Sequence, residues 1–114
     1  MTAPLRGEVW LTRLDPTEGN GIRKTRPCAV VSSDEMNRRL GTVIMMPLTS
    51  GSRPTRFRAS TSFRGISGLL LGDQIRCVSK LRLLKRVGAL DVETMDRALA
   101  VLREMLAIIY LSEQ

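Results

Sequence analysis

The sequence predicts an α+β fold, in which a strongly bent antiparallel sheet is followed by one long helix. Up to residue 90 the chain holds short apolar or alternating segments, and each one is closed by glycine, proline or other turn-forming residues. After Asp91, apolar residues recur at spacings of three and four, which is the period of a helix. Short strands with a single long terminal helix are typical of a small α+β barrel. With 114 residues, the chain is expected to form one domain over residues 1–114.

The first half of the chain predicts three strands and a short helix. The strands are predicted over residues 8–14, 28–32 and 43–48. The first alternates between apolar and polar side chains, as a half-buried strand does, and the second is apolar enough to be central and covered on both faces. Ser33 or Asp34 can cap the helix, which Gly41 stops. A polar loop over residues 49–54 follows the third strand.

The second half predicts two more strands, an ambiguous segment and the long helix. The strands are predicted over residues 56–63 and 69–78, the latter with a bulge at Gly72, and residues 81–87 are ambiguous. Asp91 is a suitable N-cap for a helix of about five turns that reaches Ile109. Its apolar surface is wider than one stripe, so we expect it to pack on the sheet with one side and on a second copy of the chain with the other.

The charge of the chain is strongly positive and unevenly distributed. Eighteen Lys and Arg residues, fifteen of them Arg, face eleven Asp and Glu residues, which gives a net charge of +7. Residues 1–90 carry +10, and residues 91–114 carry −3. The planar fork of arginine suits phosphates and stacks on bases, so residues 1–90 are expected to face nucleic acid, with a merely solvated basic surface as the alternative.

Several kinds of site are excluded or disfavoured by composition. Histidine is absent, which excludes nucleases that use paired imidazoles. The acidic residues are scattered and the two cysteines, Cys28 and Cys77, form no C-x-x-C, so we expect neither a metal nor another cofactor. Both cysteines are expected to be reduced and buried. The N-terminus lacks the apolar core of a signal peptide and charges interrupt the apolar stretches, so a cytoplasmic location without a membrane span is expected.

One phosphodiester chemistry needs neither a metal nor a histidine, because RNA carries its own nucleophile. The 2′-hydroxyl can attack the adjacent phosphorus and leave a 2′,3′-cyclic phosphate. An arginine fork and a hydroxyl donor can orient the backbone and stabilise charge on the nonbridging oxygens. Arg26 and Thr49 offer such a pair where two strands meet loops.

Seven short segments follow one another in a characteristic order. They are Arg6-Gly-Glu-Val-Trp-Leu, Leu14-Asp-Pro, Lys24-Thr-Arg-Pro-Cys-Ala-Val-Val-Ser, Pro47-Leu-Thr-Ser, Gly68-Leu, Asp73-Gln-Ile-Arg and Lys85-Arg-Val-Gly. In this order they resemble the MazF/PemK (Kid) family of toxin endoribonucleases, the mRNA interferases of type II toxin–antitoxin systems. The resemblance implies a homodimer of small SH3-like (CcdB/MazF-like) barrels that cuts single-stranded RNA at short sequences. It also implies inhibition of translation and growth until a MazE-like antitoxin, through an acidic flexible segment, neutralises the toxin.

The resemblance also implies site residues. The catalytic arginine of the family's R-P motif falls on Arg26, and the catalytic threonine of its P-x-T-S motif falls on Thr49. The expected substrate-binding residues are Asn20, Arg23, Lys24, Ser50, Arg56, Asp73 and Gln74.

Two departures leave the general base unassigned. The predicted loop over residues 17–25 has Gly19-Asn20-Gly21 where many members carry an acid, and Leu71 stands where Kid-like members carry an arginine. Asp73 is a candidate base, whereas Arg26 stays protonated and is assigned to transition-state stabilisation. Two other classes remain as alternatives: a CcdB-like toxin that binds gyrase through its C-terminal helix, and a non-catalytic RNA-binding module. Neither needs both Arg26 and Thr49.

Overall fold

The computed structural model of the chain describes residues 2–14, 24–50 and 53–107. Within these ranges there are seven strands, two α-helices and two short 3-10 turns, Gly72–Gln74 and Lys80–Arg82. The strands are β1 (Glu8–Leu14), β2 (Lys24–Val30), β3 (Thr42–Ser50), β4 (Arg58–Phe63), β5 (Ile66–Leu71), β6 (Arg76–Ser79) and β7 (Leu83–Ala89). The helices are α1 (Asp34–Arg39) and α2 (Val92–Met105).

The strands form one strongly bent, antiparallel sheet with β3 at its centre. The spatial order is β4-β5-β3-β2-β1-β7, and β6 also pairs with β3. Met45 is in register with both Val30 of β2 and Arg76 of β6, so β6 lies on the opposite edge of β3 from β2, beside β5. The two ends of the sheet approach one another, because a Cβ on Gly88 of β7 would lie 2.8 Å from the Phe63 ring of β4. Among the described strands β4 and β7 are not paired, so the sheet is not closed and the predicted barrel describes it only approximately.

The single strand predicted over residues 69–78 is wrong, because two strands occupy this segment. On β3, Leu48 is the register partner of Leu70 and Met45 is the register partner of Arg76. The two β3 residues are three positions apart, whereas their partners are six positions apart. The three extra residues form the 3-10 turn Gly72–Gln74, whose first N–H donates to the Phe57 carbonyl at 3.0 Å. The ambiguous segment contains β7, so the described sheet has seven strands instead of five.

Both predicted helix starts are confirmed. The Ser33 hydroxyl accepts a hydrogen bond from the Met36 N–H at 3.2 Å, and the Asp91 carboxylate accepts one from the Thr94 N–H at 2.7 Å. Helix α2 is shorter than predicted, since it has 14 residues and ends at Met105. The predicted end, Ile109, lies outside the described residues.

An apolar cluster covers each face of the sheet. The first contains α2 residues, and its buried members are Val9, Ala29, Val31, Met46, Leu48, Leu70, Met95 and Ala98. The second is formed by alternate residues of the same strands, and its buried members are Leu14, Cys28, Val30, Val43, Met45 and Val78. Residues 28–31 are therefore covered on both faces, as predicted.

The expectation that both cysteines are buried holds only for Cys28, which is fully buried. Cys77 is exposed, because Val78 faces the apolar cluster and its neighbour in β6 must point away. None of the helices in the described ranges is long and apolar enough to cross a membrane.

The close approach of β5 to β3 yields a test of the fold. A Cβ on Gly68 would clash with the Thr49 carbonyl oxygen, whereas nothing lies within 4 Å of a Cβ on Gly41. We expect Gly68→Ala to lower the free energy of unfolding by about 1–3 kcal/mol, the usual cost of overpacking. The matched variant Gly41→Ala should change it by less than about 0.5 kcal/mol. Urea denaturation measures both, and equal stabilities would contradict the β3–β5 register.

Candidate active site

The candidate site lies where β2 and β3 separate. The Val31 N–H donates to the Ile44 carbonyl at 2.9 Å, so odd-numbered residues of β2 direct their backbone groups toward β3. Pro27 is one of these residues and has no N–H to donate. The β2–β3 register accordingly ends at the pair Cys28–Pro47. Beyond it, β2 stays paired with β1 and β3 continues with β5, which opens a split between them.

The two predicted catalytic residues flank this split. Extended by two residues, the β2–β3 register would set Arg26 opposite Thr49. Arg26 is held in β2 by its register with Thr12 of β1, and Thr49 is held in β3 by its register with Leu69 of β5. Both residues are half-buried. The following proline restricts Arg26 to extended backbone, so the strand that carries it is locally stiff.

A cavity of about 340 Å³ opens into the split; we call it the Thr49 cavity. Its walls combine apolar side chains with hydroxyls. It is lined by Pro27, Leu48, Thr49, Ser50, Thr61, Phe63, Ile66, Ser67 and Gly68. Arg26 adjoins this lining through Pro27. The strand ends thus surround a space that is bordered by hydroxyl side chains and lies next to the strand position of Arg26.

The thiol beside the split is not a nucleophile. Burial raises the pKa of Cys28 to about 11, against the smaller opposite effects of a hydrogen bond with Thr12 and of the charges on Arg76 and Arg26. Cys28 is therefore neutral near pH 7. Register and alternation set Arg26, Cys28 and Arg76 on one face of the sheet.

Asp73 is held by a residue that sequence analysis missed. Arg58 of β4 donates two hydrogen bonds to its carboxylate, Nε to Oδ1 and Nη2 to Oδ2, both at 2.8 Å. The hydrogen bonds from Arg58 lower the pKa of Asp73, which keeps the carboxylate ionised. Arg58 is the register partner of Leu71. A guanidinium from the neighbouring strand thus reaches the aspartate although Leu71 replaces the arginine of Kid-like members.

The structure brings together only some of the expected substrate-binding residues. Ser50 lines the Thr49 cavity, and Gln74 shares the exposed 3-10 turn of Asp73. Arg56 lies apart from that cavity lining and donates to the Glu104 carboxylate of α2 at 3.0 and 3.1 Å. Lys24 begins β2, and Asn20 and Arg23 lie outside the described residues. No group of three metal-ligating side chains occurs within the described ranges.

Comparisons with known proteins agree with this architecture. Residues 5–106 match the family described as PemK-like, MazF-like toxin of type II toxin–antitoxin system, and the chain belongs to this family. It is 35% identical over 107 residues to Endoribonuclease PemK of Escherichia coli, covering 89% of this chain and 80% of that protein. It is 34% identical over 107 residues to Endoribonuclease MazF9 of Mycobacterium tuberculosis, covering 82% of this chain and 91% of that protein.

A solved structure gives the same result for the fold. The chain superposes with a TM-score of 0.76 on a mycobacterial endoribonuclease in complex with its cognate antitoxin. The sequences are 25% identical, and the match covers 95% of this chain and 99% of the other. The predicted family is therefore confirmed.

The Arg58–Asp73 pair predicts a measurable titration. In an NMR pH titration, the pKa of Asp73 should lie below the ordinary aspartate value, and Arg58→Leu should raise it. Because this pKa is lower in the folded than in the unfolded chain, the ionised Asp73 carboxylate stabilises the fold. Its contribution to the free energy of unfolding is fully present above the pKa of the unfolded chain. That contribution disappears as pH falls through the folded pKa. Arg39→Leu removes an exposed cation that pairs with Glu35 and should leave Asp73 unchanged. Identical Asp73 curves in all three proteins would contradict the pair.

Proposed function

We propose that this chain is a sequence-specific endoribonuclease toxin that cuts single-stranded RNA without a metal ion. The observation that carries the proposal is the position of Arg26 and Thr49 on the two sides of the β2–β3 split, beside the Thr49 cavity, in a member of a toxin family. Relatives named as endoribonucleases support the same activity. A gyrase-binding toxin or a non-catalytic RNA-binding module would need no such arrangement, and nothing in the comparisons favours either.

The proposed reaction is an internal transfer within RNA. The 2′-oxygen attacks the adjacent phosphorus and loses its proton, while the bond to the 5′-oxygen breaks and that oxygen gains a proton. The products are a 2′,3′-cyclic phosphate and a 5′-hydroxyl. The Arg26 guanidinium and the Thr49 hydroxyl would donate hydrogen bonds to the nonbridging oxygens, on which negative charge builds.

Asp73 fits a positioning role better than that of general base. Both of its oxygens accept hydrogen bonds from Arg58, and its lowered pKa makes it a weak proton acceptor. We propose that the Arg58–Asp73 pair orients the turn that presents Gln74 to RNA. The remaining contacts would come from Ser50, from Lys24 at the start of β2, and from Asn20 and Arg23. Because Arg56 is paired with Glu104, it would reach RNA only after leaving α2.

The proposed partners are a second copy of the chain and an antitoxin. Beside α2 lies a cavity of about 470 Å³ lined by Arg6, Leu99, Leu102, Arg103 and Leu106. Leu106 is 76% exposed, which gives this surface an apolar area that a second copy would cover. The mycobacterial neighbour was solved with its cognate antitoxin. An acidic, flexible antitoxin segment would compete with RNA for the basic surface of residues 1–90.

The reaction chemistry can be tested directly with a long RNA in excess EDTA. We expect cleavage to persist and to produce 5′-hydroxyl and 2′,3′-cyclic phosphate ends, because the proposed donors are Arg26 and Thr49. Replacing the 2′-hydroxyl by hydrogen only at the scissile nucleotide should stop the cut at that position. End mapping by sequencing reads both results. A requirement for added Mg²⁺, or cleavage of an all-DNA strand, would refute this mechanism.

The assignment of the two donors predicts distinct variant behaviour. Arg26→Ala and Thr49→Ala should each lower the single-turnover cleavage rate about 10²–10³-fold, the usual loss for one charge-stabilising donor. Arg26→Lys should restore little, because an ammonium cannot reproduce the guanidinium fork, whereas Thr49→Ser should restore part of the rate. Arg39→Ala, which removes an exposed arginine of α1, is the matched control. Near-normal rates in either alanine variant would place the reacting centre elsewhere.

A further inference from the structure

Thr61 carries a buried hydroxyl for which the described residues offer no hydrogen-bond partner. Its residue is only 7% exposed, and its Oγ1 makes no hydrogen bond within the described part of the chain. Buried hydroxyls in folded proteins are nearly always paired, since an unpaired one loses its bonds to water without replacement. Such a group indicates that something outside the described residues bonds to it.

The position of Thr61 indicates what kind of group this is. Thr61 lies in β4 at the end of the sheet and borders a second cavity, of about 400 Å³, which we call the serine–threonine cavity. This cavity is lined by Pro54, Ser60, Thr61, Ser62, Ser67, Gly68, Leu69 and Arg97. It shares Thr61, Ser67 and Gly68 with the Thr49 cavity. A chain bound at the candidate active site can therefore continue into it.

The chemistry of this lining fits a nucleotide. Four hydroxyl side chains, which both donate and accept hydrogen bonds, surround the cavity, and no carboxylate is among the described residues that line it. The guanidinium of Arg97 supplies a positive charge to the lining and is oriented by a hydrogen bond to the Thr94 hydroxyl at 3.2 Å. Hydroxyls match the polar edge of a base or a ribose, and arginine matches a phosphate.

We propose that the serine–threonine cavity is a subsite for the nucleotide next to the scissile one. The Thr61 hydroxyl bonds to the base or ribose of that nucleotide, and Arg97 contacts its phosphate. This subsite rests on the proposed endoribonuclease function. A second copy of the chain is the less suitable occupant, because four hydroxyl side chains and the Arg97 guanidinium line this cavity and would need polar partners, whereas the exposed side chain of Leu106 lies beside a different cavity.

The decisive variant is Thr61→Val, which replaces the unpaired hydroxyl by a methyl group of similar shape. Its melting temperature should be no lower than that of the wild type, because an unsatisfied polar group is removed. Its kcat/KM on RNA should nevertheless fall about three- to tenfold, the effect of one lost hydrogen bond. End mapping should show a weakened base preference at one position beside the cut. Thr61→Ser should retain that preference.

Two further variants separate binding from folding. Arg97→Ala should raise KM more than it lowers kcat, and the affinity for RNA should become less dependent on salt, since one phosphate contact is lost. Thr42→Val makes the same exchange in β3 outside both cavities, and it should leave rate and preference unchanged.

The outcomes distinguish the subsite from the activity on which it rests. If the wild type cuts RNA and Thr61→Val cuts with the same rate and base preference, the subsite is wrong. If Thr61→Val weakens self-association while cleavage per dimer is unchanged, the hydroxyl belongs to a subunit interface, and the proposal is equally wrong. If the wild type does not cut, the proposed function fails. In that case, the affinities of the wild type and of Thr61→Val for an RNA with a single 2′-deoxy substitution decide the subsite. Equal affinities of the two proteins overturn it.

Discussion

The missing N–H of Pro27 is the constraint on which the arrangement of this molecule depends. It stands at a β2 position whose backbone faces β3, so the ladder between these strands cannot continue through it. The backbone of Pro47 faces the other edge of β3, which pairs with β5 and β6. The turn Gly72–Gln74 separates these two strands and interrupts their pairing with β3. Each proline therefore lies where no ladder hydrogen bond is needed. The central strand exchanges its neighbours midway, between these two prolines.

This exchange positions the candidate site on rigid elements. Arg26 remains paired with β1 beyond the point where β2 separates from β3. Beyond the same point, Thr49 of β3 is paired with β5. The two side chains consequently project from paired strands, and neither depends on a loop for its position. Groups held in this way keep their geometry when charge develops on a substrate, which is the condition for electrostatic stabilisation of a transition state.

Local sequence patterns were sufficient to predict the strands and helix ends that depend on local interactions. The alternation of residues 8–14 and the caps at Ser33 and Asp91 predicted β1 and both helix starts. The division of residues 69–78 was missed because the turn depends on distant partners, the Phe57 carbonyl and Arg58. Of the site, Arg26 and Thr49 came from motifs. The contribution of Arg58 depends on its register opposite Leu71, which no local pattern in a single sequence reveals.

The hydroxyl of Thr61 shows how stability and binding oppose each other at this end of the sheet. A valine at this position of β4 would fill the same volume and leave no unpaired polar atom, so packing alone does not favour threonine. The neighbouring cation, Arg97, lines the same cavity. Groups that lower the stability of the fold and lie beside the candidate active site are expected on a surface that binds a ligand. The serine–threonine cavity is therefore better explained by what it binds than by what it stabilises.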